Sequence, residues 1–275
     1  MAQNGFPLLA LADWHATRDT LHGYARVLGT IRGALAPKQK HWWHISLRVT
    51  PNGITTTRIP NRETGFELRL DLSTHRLVIQ ADHARPTQIP LDGQSSAVLV
   101  AQIMSALENL GIKPDIDKTK LGDSNPTHYD QAAVEPFWRA LPRIDTILKR
   151  FQEKLDANTS PVQLWPHHFD LAMNWFSGRR VPGTNPADEE ASEEQMNFGF
   201  STGDGGIPVP YFYITAYPLP AELVQTHLPP DAFWHTQGWT GALLPYAALT
   251  KTEHPEEKLI GFLQHVHSVG RRLMK

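Results

Sequence analysis

At 275 residues, with 26 basic and 28 acidic side chains, the chain has a formal charge of −2 and offers no positive field for nucleic acid or an anionic membrane. It has no cysteine, which excludes a disulfide scaffold, thiol catalysis, an iron–sulfur centre and a thiolate zinc finger. The longest apolar run, Phe6 to Ala12, is too short to span a bilayer and has no basic residue before it; the expected setting is the cytoplasm, with no membrane partner and no signal segment.

Trp14, Leu21, Tyr24, Leu28, Ile31 and Leu35 recur at helical spacing and predict an amphipathic helix over 14–35, stopped by Pro37. His41 to Thr50 alternates and reads as a strand, followed by an Asn52–Gly53 turn and a second run, Ile54 to Ile59. Phe66, Leu68, Leu70 and Leu72 alternate with Glu67, Arg69 and Asp71, the pattern of a half-buried strand. Two short strands follow at 75–80 and 87–91, then a helix over 95–110 closed by Gly111. Residues 112–132 read as a linker. A third helix is expected over 133–155, with Pro142 giving a kink or a late start. Strand-like 162–176 follows, then a Gly-, Pro- and acid-rich stretch (178–206) expected to make few contacts over 180–196. Strands at 211–217 and 241–246 and a helix at 256–274 complete the order.

The order helix, Pro stop, aromatic–His strand, further strands, helix occurs twice. A shift of 124 residues lays Trp14 on Trp138, Pro37 on Pro161, Gln39 on Gln163, His44 on His168 and Leu47 on Leu171. This suggests a pseudo-duplication: a first half over 1–111 and a second over 133–275 in one compact unit, with the same strand order in each.

Several segments are similar to a bacterial family designated domain of unknown function 5996. They are Leu28-Gly-Thr-Ile-Arg-Gly-Ala-Leu-Ala-Pro37, His41-Trp-Trp-His44, Leu164-Trp-Pro-His-His-Phe-Asp-Leu-Ala172, Gly199-Phe-Ser-Thr-Gly-Asp204, Pro210-Tyr-Phe-Tyr213 and Leu244-Pro-Tyr246. The resemblance spans nearly the whole chain and implies a relative, not an activity.

The unusual side chains are 14 His and 8 Trp. On alternating strands His44 and His168 fall on corresponding polar faces, with Asp170 one pleat from His168. Two imidazoles and a carboxylate suit a divalent transition metal; without metal, His168 oriented by Asp170 is a candidate general base. A solvated polar face fits the same spacing. His15, Asp19, His22 and Arg26 form a polar helix stripe that reads as solvated, although His22 could turn inward. Trp42, Trp165, Tyr211 and Tyr213 are candidate ligand-binding aromatics, with cross-strand packing as the alternative. The glycine-rich loop 199–206 lacks a phosphate-binding pattern and reads as a tight turn needing positive φ, with Asp204 as a candidate ligand contact. Ser177-Gly-Arg-Arg180 is either an anion site or plain surface.

The expected class is α+β: antiparallel sheets, each with helices packed on one face. The expected function is that of a small-molecule enzyme, metal-dependent and hydrolase-like in one version. Its site residues are His44, His168 and Asp170 where the halves meet. The alternative is a non-catalytic ligand-binding or interaction module using the Trp/Tyr surface.

Overall fold

The computed structural model describes residues 5–61, 64–116, 127–155 and 158–274. Residues 117–126, the middle of the expected linker, lie outside the described residues. Two compact units alternate along the chain. One, here the N-terminal unit, is Ala12–Pro142 with Gln163–Phe169; the other, the C-terminal unit, is Met1–Leu11, Arg143–Val162 and Asp170–Lys275. The units are therefore not sequence halves divided at 112–132.

The N-terminal unit opens with α1 (His15–Leu35), whose predicted stripe is buried: Leu21, Tyr24, Leu28 and Ile31 are fully enclosed. A meander follows, β1 (Arg48–Thr50), β2 (Gly53–Thr55), β3 (Phe66–Asp71), β4 (Arg76–Ala81) and β5 (Thr87–Pro90), with strands ordered as in the sequence. The register sets Leu68 against Ile79 and Leu70 against Ile54 and Leu77, so alternation puts one apolar face on the core. On the other face Arg69 reaches Glu67 at 3.7 Å. Helix α2 (Ser96–Asn109) buries Leu99, Ile103 and Leu107; Ser95 caps it by accepting the Val98 N–H at 3.3 Å, and Gly111 ends it at φ +74°. Helix α3 (Gln131–Gln152) contains Pro136 and Pro142 and runs through both, so Pro142 gives no late start. Its first part supplies Phe137, packed on Trp14 at 5.0 Å and on Phe169 at 5.5 Å. The short β6 (Gln163–Trp165) is held to the unit by the Leu47–Leu164 bridge.

In the C-terminal unit the sheet runs β10 (Phe233–His235), β11 (Gly241–Pro245), β9 (Tyr211–Tyr217), β8 (Glu193–Ser201), β7 (Asp170–Arg180), all antiparallel. Met173, Phe198, Phe212, Ile214 and Leu244 alternate onto one face and are buried. The apolar stripe of α6 (Pro255–Leu273), with Leu259, Phe262, Leu263 and Val266, is buried likewise, and α6 packs against β8 and β9. Phe151 of α3 joins this core against Phe198, ring centroids 4.9 Å apart. A small helix α4 (Glu189–Ser192) precedes β8, and α5 (Ala247–Thr250) follows β11.

The class is α+β with two antiparallel sheets, as the alternation indicated. Four local expectations are corrected. Residues 40–45 are not strand but a 3₁₀ turn, Lys40–Ile45, in which His41 and Trp42 take left-handed backbone angles. Strand 162–176 is broken by a turn at 166–169, where Phe169 has φ +57°. Residues 193–196 are strand, with Ser192 and Met196 buried, because Met196, Phe198 and Phe200 continue a period-two pattern; within 180–196 the exposed residues all lie between 180 and 190. The duplication fails on strand order. β11, not β10, neighbours β9, so the second sheet does not repeat the meander. Trp14 precedes its helix whereas Trp138 lies inside α3.

Glycine in an exposed helix costs about 0.5–1 kcal/mol relative to alanine. At Gly261 in α6 an added Cβ meets nothing within 4 Å. Gly261→Ala is therefore expected to raise the unfolding free energy by about 0.5–1 kcal/mol. Phe151→Ala, which empties a fully buried aromatic position, should lower it by about 3–5 kcal/mol. Urea denaturation of the two variants checks both signs.

Candidate functional site

A cleft of about 550 Å³ in the N-terminal unit is lined by α1, the 3₁₀ turn, residues 115–116 and the 166–169 turn. Helix spacing puts Arg26, Gly29, Thr30, Gly33 and Ala34 on one face of α1, opposite the core stripe. That face forms one wall, and Trp42, His44, Ile45, Pro166, His167 and Asp115 are among the other lining residues. The two glycines are needed for contact, not flexibility. A Cβ on Gly29 would fall 2.4 Å from Pro166 Cγ and 3.2 Å from the Ile45 carbonyl; one on Gly33 would fall 2.9 Å from Ile45 Cγ2. With hydrogen there instead, both turns sit directly on the helix.

His41 (φ 51°, ψ 31°) and Trp42 (φ 59°, ψ 20°) are consecutive non-glycine residues in the left-handed region, a strain of order 1 kcal/mol or more apiece that surrounding bonds must hold. The buried Arg32 holds it from below: Nη1 donates to the Trp43 carbonyl at 2.9 Å and to the Ser46 carbonyl. Ser46 Oγ lies 2.8 Å from the Trp43 carbonyl and 2.7 Å from Gln163 Oε1, and it accepts from Arg48 at 2.8 Å. The turn exposes the indole of Trp42, 55% accessible, over a buried His44; the two rings stack at 5.6 Å and 24°.

His44 Nδ1 accepts the Gln39 backbone N–H at 3.3 Å, so in the neutral ring the hydrogen sits on Nε2. Burial, and then the charges of Arg32 and Lys38, hold its pKa below the ordinary imidazole value. His167 is lowered in the same way, first by burial and then by the neighbouring His168 and His22; its ring is 4.4 Å from that of His168. His22 does turn inward. Its Nε2–H donates to the His167 carbonyl at 3.1 Å, and its ring stacks on Phe169 at 5.5 Å, fixing the turn that carries His167. The cleft thus holds two imidazoles biased to neutrality near pH 7, a guanidinium, a carboxylate and an indole face. Neutral imidazole can accept a proton at one nitrogen and donate from the other.

The structure distributes the sequence-selected residues as follows. Trp42 and His44 line the cleft, and its second imidazole is His167. His167 and its neighbour His168 are both exposed at the residue level, and Trp165 is half-buried, edge-on to His167 at 5.6 Å. The face-sharing argument for His44 and His168 does not apply, because both sit in turns. Asp170, Asp204, Tyr211 and Tyr213 belong to the C-terminal unit. There Tyr213 Oη donates to Asp170, and Tyr211 Oη donates to Asp204 at 3.4 Å. Asp204 also closes its own loop by accepting the Gly206 and Ile207 N–H groups at 2.7 and 2.9 Å, and Gly203 supplies the expected positive φ, +95°. Arg179 and Arg180 are engaged by Glu194 and Ser192. Among the described residues no group of three or more His, Cys, Asp or Glu is arranged to hold a metal ion, so His44, His168 and Asp170 do not form such a group. Sequence reasoning missed Arg32, Gly29, Gly33 and His167 as cleft builders, and treated Arg26 as surface.

Fold and cleft together define an α+β protein with a histidine- and tryptophan-lined small-molecule-sized cleft. The chain belongs to the Family of unknown function (DUF5996), whose model matches residues 6–275. No curated protein and no solved structure matches it. Among the described residues no helix is long and apolar enough to cross a membrane.

Gly29→Ala drives a methyl group into Pro166, and the variant should lose about 1–3 kcal/mol of stability by urea unfolding, against the small gain that helix propensity alone would give. A pH effect follows from the histidines. His22, His44, His75 and His167 all have folded pKa values below 6.5, so the unfolded chain binds more protons as pH falls. Stability should be full above that value and decline as pH drops through it. The urea midpoint between about pH 8 and pH 5 measures this, and a midpoint rising toward acid would contradict the shifts.

Proposed function

We propose that the protein acts on a small molecule bound in the Trp42–His44–His167 cleft, with the neutral imidazoles as its acid–base groups. The observation that carries this reading is that the cleft's two lining histidines both have lowered pKa values, while the cleft volume lies in the range of small-molecule sites, about 300–1,000 Å³. A strained backbone at His41 and Trp42 beside them supports it, since such strain is retained where function needs the side chain displayed. In this reading Trp42 offers a flat apolar surface to the ligand. Arg26 attracts an anionic substituent, and His44 Nε2–H or a free imidazole nitrogen exchanges a proton with the bound molecule.

A second reading, ligand binding without chemistry, is favoured by the exposed Trp42 indole, because a stacking platform needs no catalytic partner. Both share one test. Ligand-observed NMR with neutral, carboxylate- and phosphate-bearing aromatic fragments should find a class that binds the wild type and loses about tenfold or more with Trp42→Ala and with His44→Ala. A class that prefers anionic fragments should also weaken with Arg26→Ala. No binding by any class, or binding indifferent to these variants, refutes the cleft as a site. Under the enzymatic reading, turnover of a ligand found this way is lost in His44→Gln while binding persists; turnover unchanged in that variant refutes the acid–base role of His44.

A further inference from the structure

The second group of aromatic residues lies in the C-terminal unit and is separate from the cleft's residues. On β9, Tyr211 and Tyr213 point to the face opposite Phe212 and Ile214, which is the face away from the buried core stripe. Register sets Tyr213 between Gly199 of β8 and Leu243 of β11, and Tyr211 between Ser201 and Pro245. Two glycines let aromatic rings lie flat on this sheet. A Cβ on Gly199 would fall 2.3 Å from Tyr213 Cζ, and one on Gly241 would fall 2.6 Å from Trp239 Cζ3. The three rings then meet pairwise. Tyr211 and Trp239 are near-parallel at 6.5 Å, Tyr213 and Trp239 are perpendicular at 6.3 Å, and Tyr211 and Tyr213 are 6.2 Å apart. His235 closes on Trp239 at 4.8 Å. Trp239 is 37% exposed and Tyr213 half-buried, while Tyr211 is buried, so the group is open at Trp239 and the accessible part of Tyr213, with Tyr211 behind them.

The charges around these rings are negative. Each tyrosine hydroxyl donates to a carboxylate, Tyr213 to Asp170 and Tyr211 to Asp204. A phenol that donates to an anion gains electron density in its ring, and this deepens the negative potential above the ring face. Both phenols register that field: burial first, and then the carboxylates, push Tyr211 up to about 12 and Tyr213 well above its ordinary value. The carboxylate oxygens are poorly placed to grip hydroxyl groups of a sugar. Both oxygens of Asp204 are taken, by Tyr211 and by the Gly206 and Ile207 N–H groups, and Asp170 is buried. They act by field. Convergent electron-rich rings backed by anions bind cations whose charge is spread over an apolar surface.

We propose that Tyr211, Tyr213 and Trp239 form a binding site for an organic cation of the quaternary or methylated ammonium class. The accessible faces of Trp239 and Tyr213 contact the methyl groups, buried Tyr211 backs them, and Asp170 and Asp204 supply the compensating charge through the phenols. The site rests on different residues from the Trp42 cleft and stands or falls independently of it.

The test is titration of the full chain with choline chloride, followed by the tryptophan indole N–H resonances in NMR. The parallel ligand is its uncharged isostere, with carbon in place of the ammonium nitrogen. The Trp239 resonance is assigned from Trp239→Phe. Choline is expected to shift it, and to bind about tenfold or more tightly than the isostere. Trp239→Ala should cost about tenfold or more, Trp239→Phe less, and Tyr213→Phe, which keeps the ring and breaks the carboxylate bond, should weaken choline without weakening the isostere. Unchanged dispersion of the other indole resonances shows that each variant is folded. Equal affinity for the isostere, an unchanged choline response in folded Trp239→Ala, or no response in the wild type overturns the proposal. If Trp239→Ala does not fold, the choline-to-isostere ratio in the wild type and Tyr213→Phe decides it alone.

Discussion

The contact on which the cleft depends is the seating of two turns against α1 at Gly29 and Gly33. A methyl group at Gly29 would overlap Pro166, and one at Gly33 would crowd Ile45. Their hydrogens leave room for the His41–Ile45 and 166–169 turns to lie against one helix wall, and that places His44 and His167 in one cleft. Two glycines inside a helix weaken it by about 1 kcal/mol each. The molecule accepts that cost, together with left-handed backbone at His41 and Trp42, and offsets it with buried bonds. Arg32, Ser46, Arg48 and Gln163 tie the turn's carbonyls and side chains together. Arg32 is central, since its Nη1 donates to the Trp43 and Ser46 carbonyls at once.

Chemistry in the cleft follows from this packing. Enclosing His44 beneath Trp42 disfavours its charged form, and the Gln39 N–H on Nδ1 fixes which nitrogen carries the hydrogen. His22 holds the His167 carbonyl and so orients the other imidazole without being among the cleft-lining residues. The C-terminal unit uses glycine in the same way, on strands instead of a helix. Gly199 and Gly241 give up side chains so that Tyr213 and Trp239 can lie on the sheet. In both units a residue without a side chain positions a ring.

Much of the fold was legible because it obeys simple periods. The α1 stripe, the alternation of Phe66, Leu68 and Leu70, the Ser95 and Gly111 signals around α2, and Tyr211–Tyr217 appear as read. What misled is equally physical. His41 to Thr50 alternates aromatic and polar residues like a strand, yet its backbone is bent by tertiary bonds from Arg32 and Gln163, which lie elsewhere in the sequence. Nothing local announces positive φ at a tryptophan. Pro166 was a visible signal for the break before β7, and the Met196, Phe198, Phe200 alternation was visible beneath the acidic composition around it. The duplication was suggested by element order, but order along the chain does not fix order across a sheet, and β10 lies outside β11. Of the candidate site, residue type was readable and partnership was not: Trp42 and His44 line one cleft, while the parity rule that paired His44 with His168 presupposed strands where the chain makes turns.

Nitrogen NMR of the imidazole rings addresses the cleft most directly. At about pH 7, the resonances of His44 and His167 should be those of neutral rings, with the hydrogen of His44 on Nε2, and both should move together when a cleft-binding fragment is added. A protonated His44 at that pH, a hydrogen on Nδ1, or a fragment that perturbs one ring and leaves the other unmoved would contradict a shared acid–base cleft.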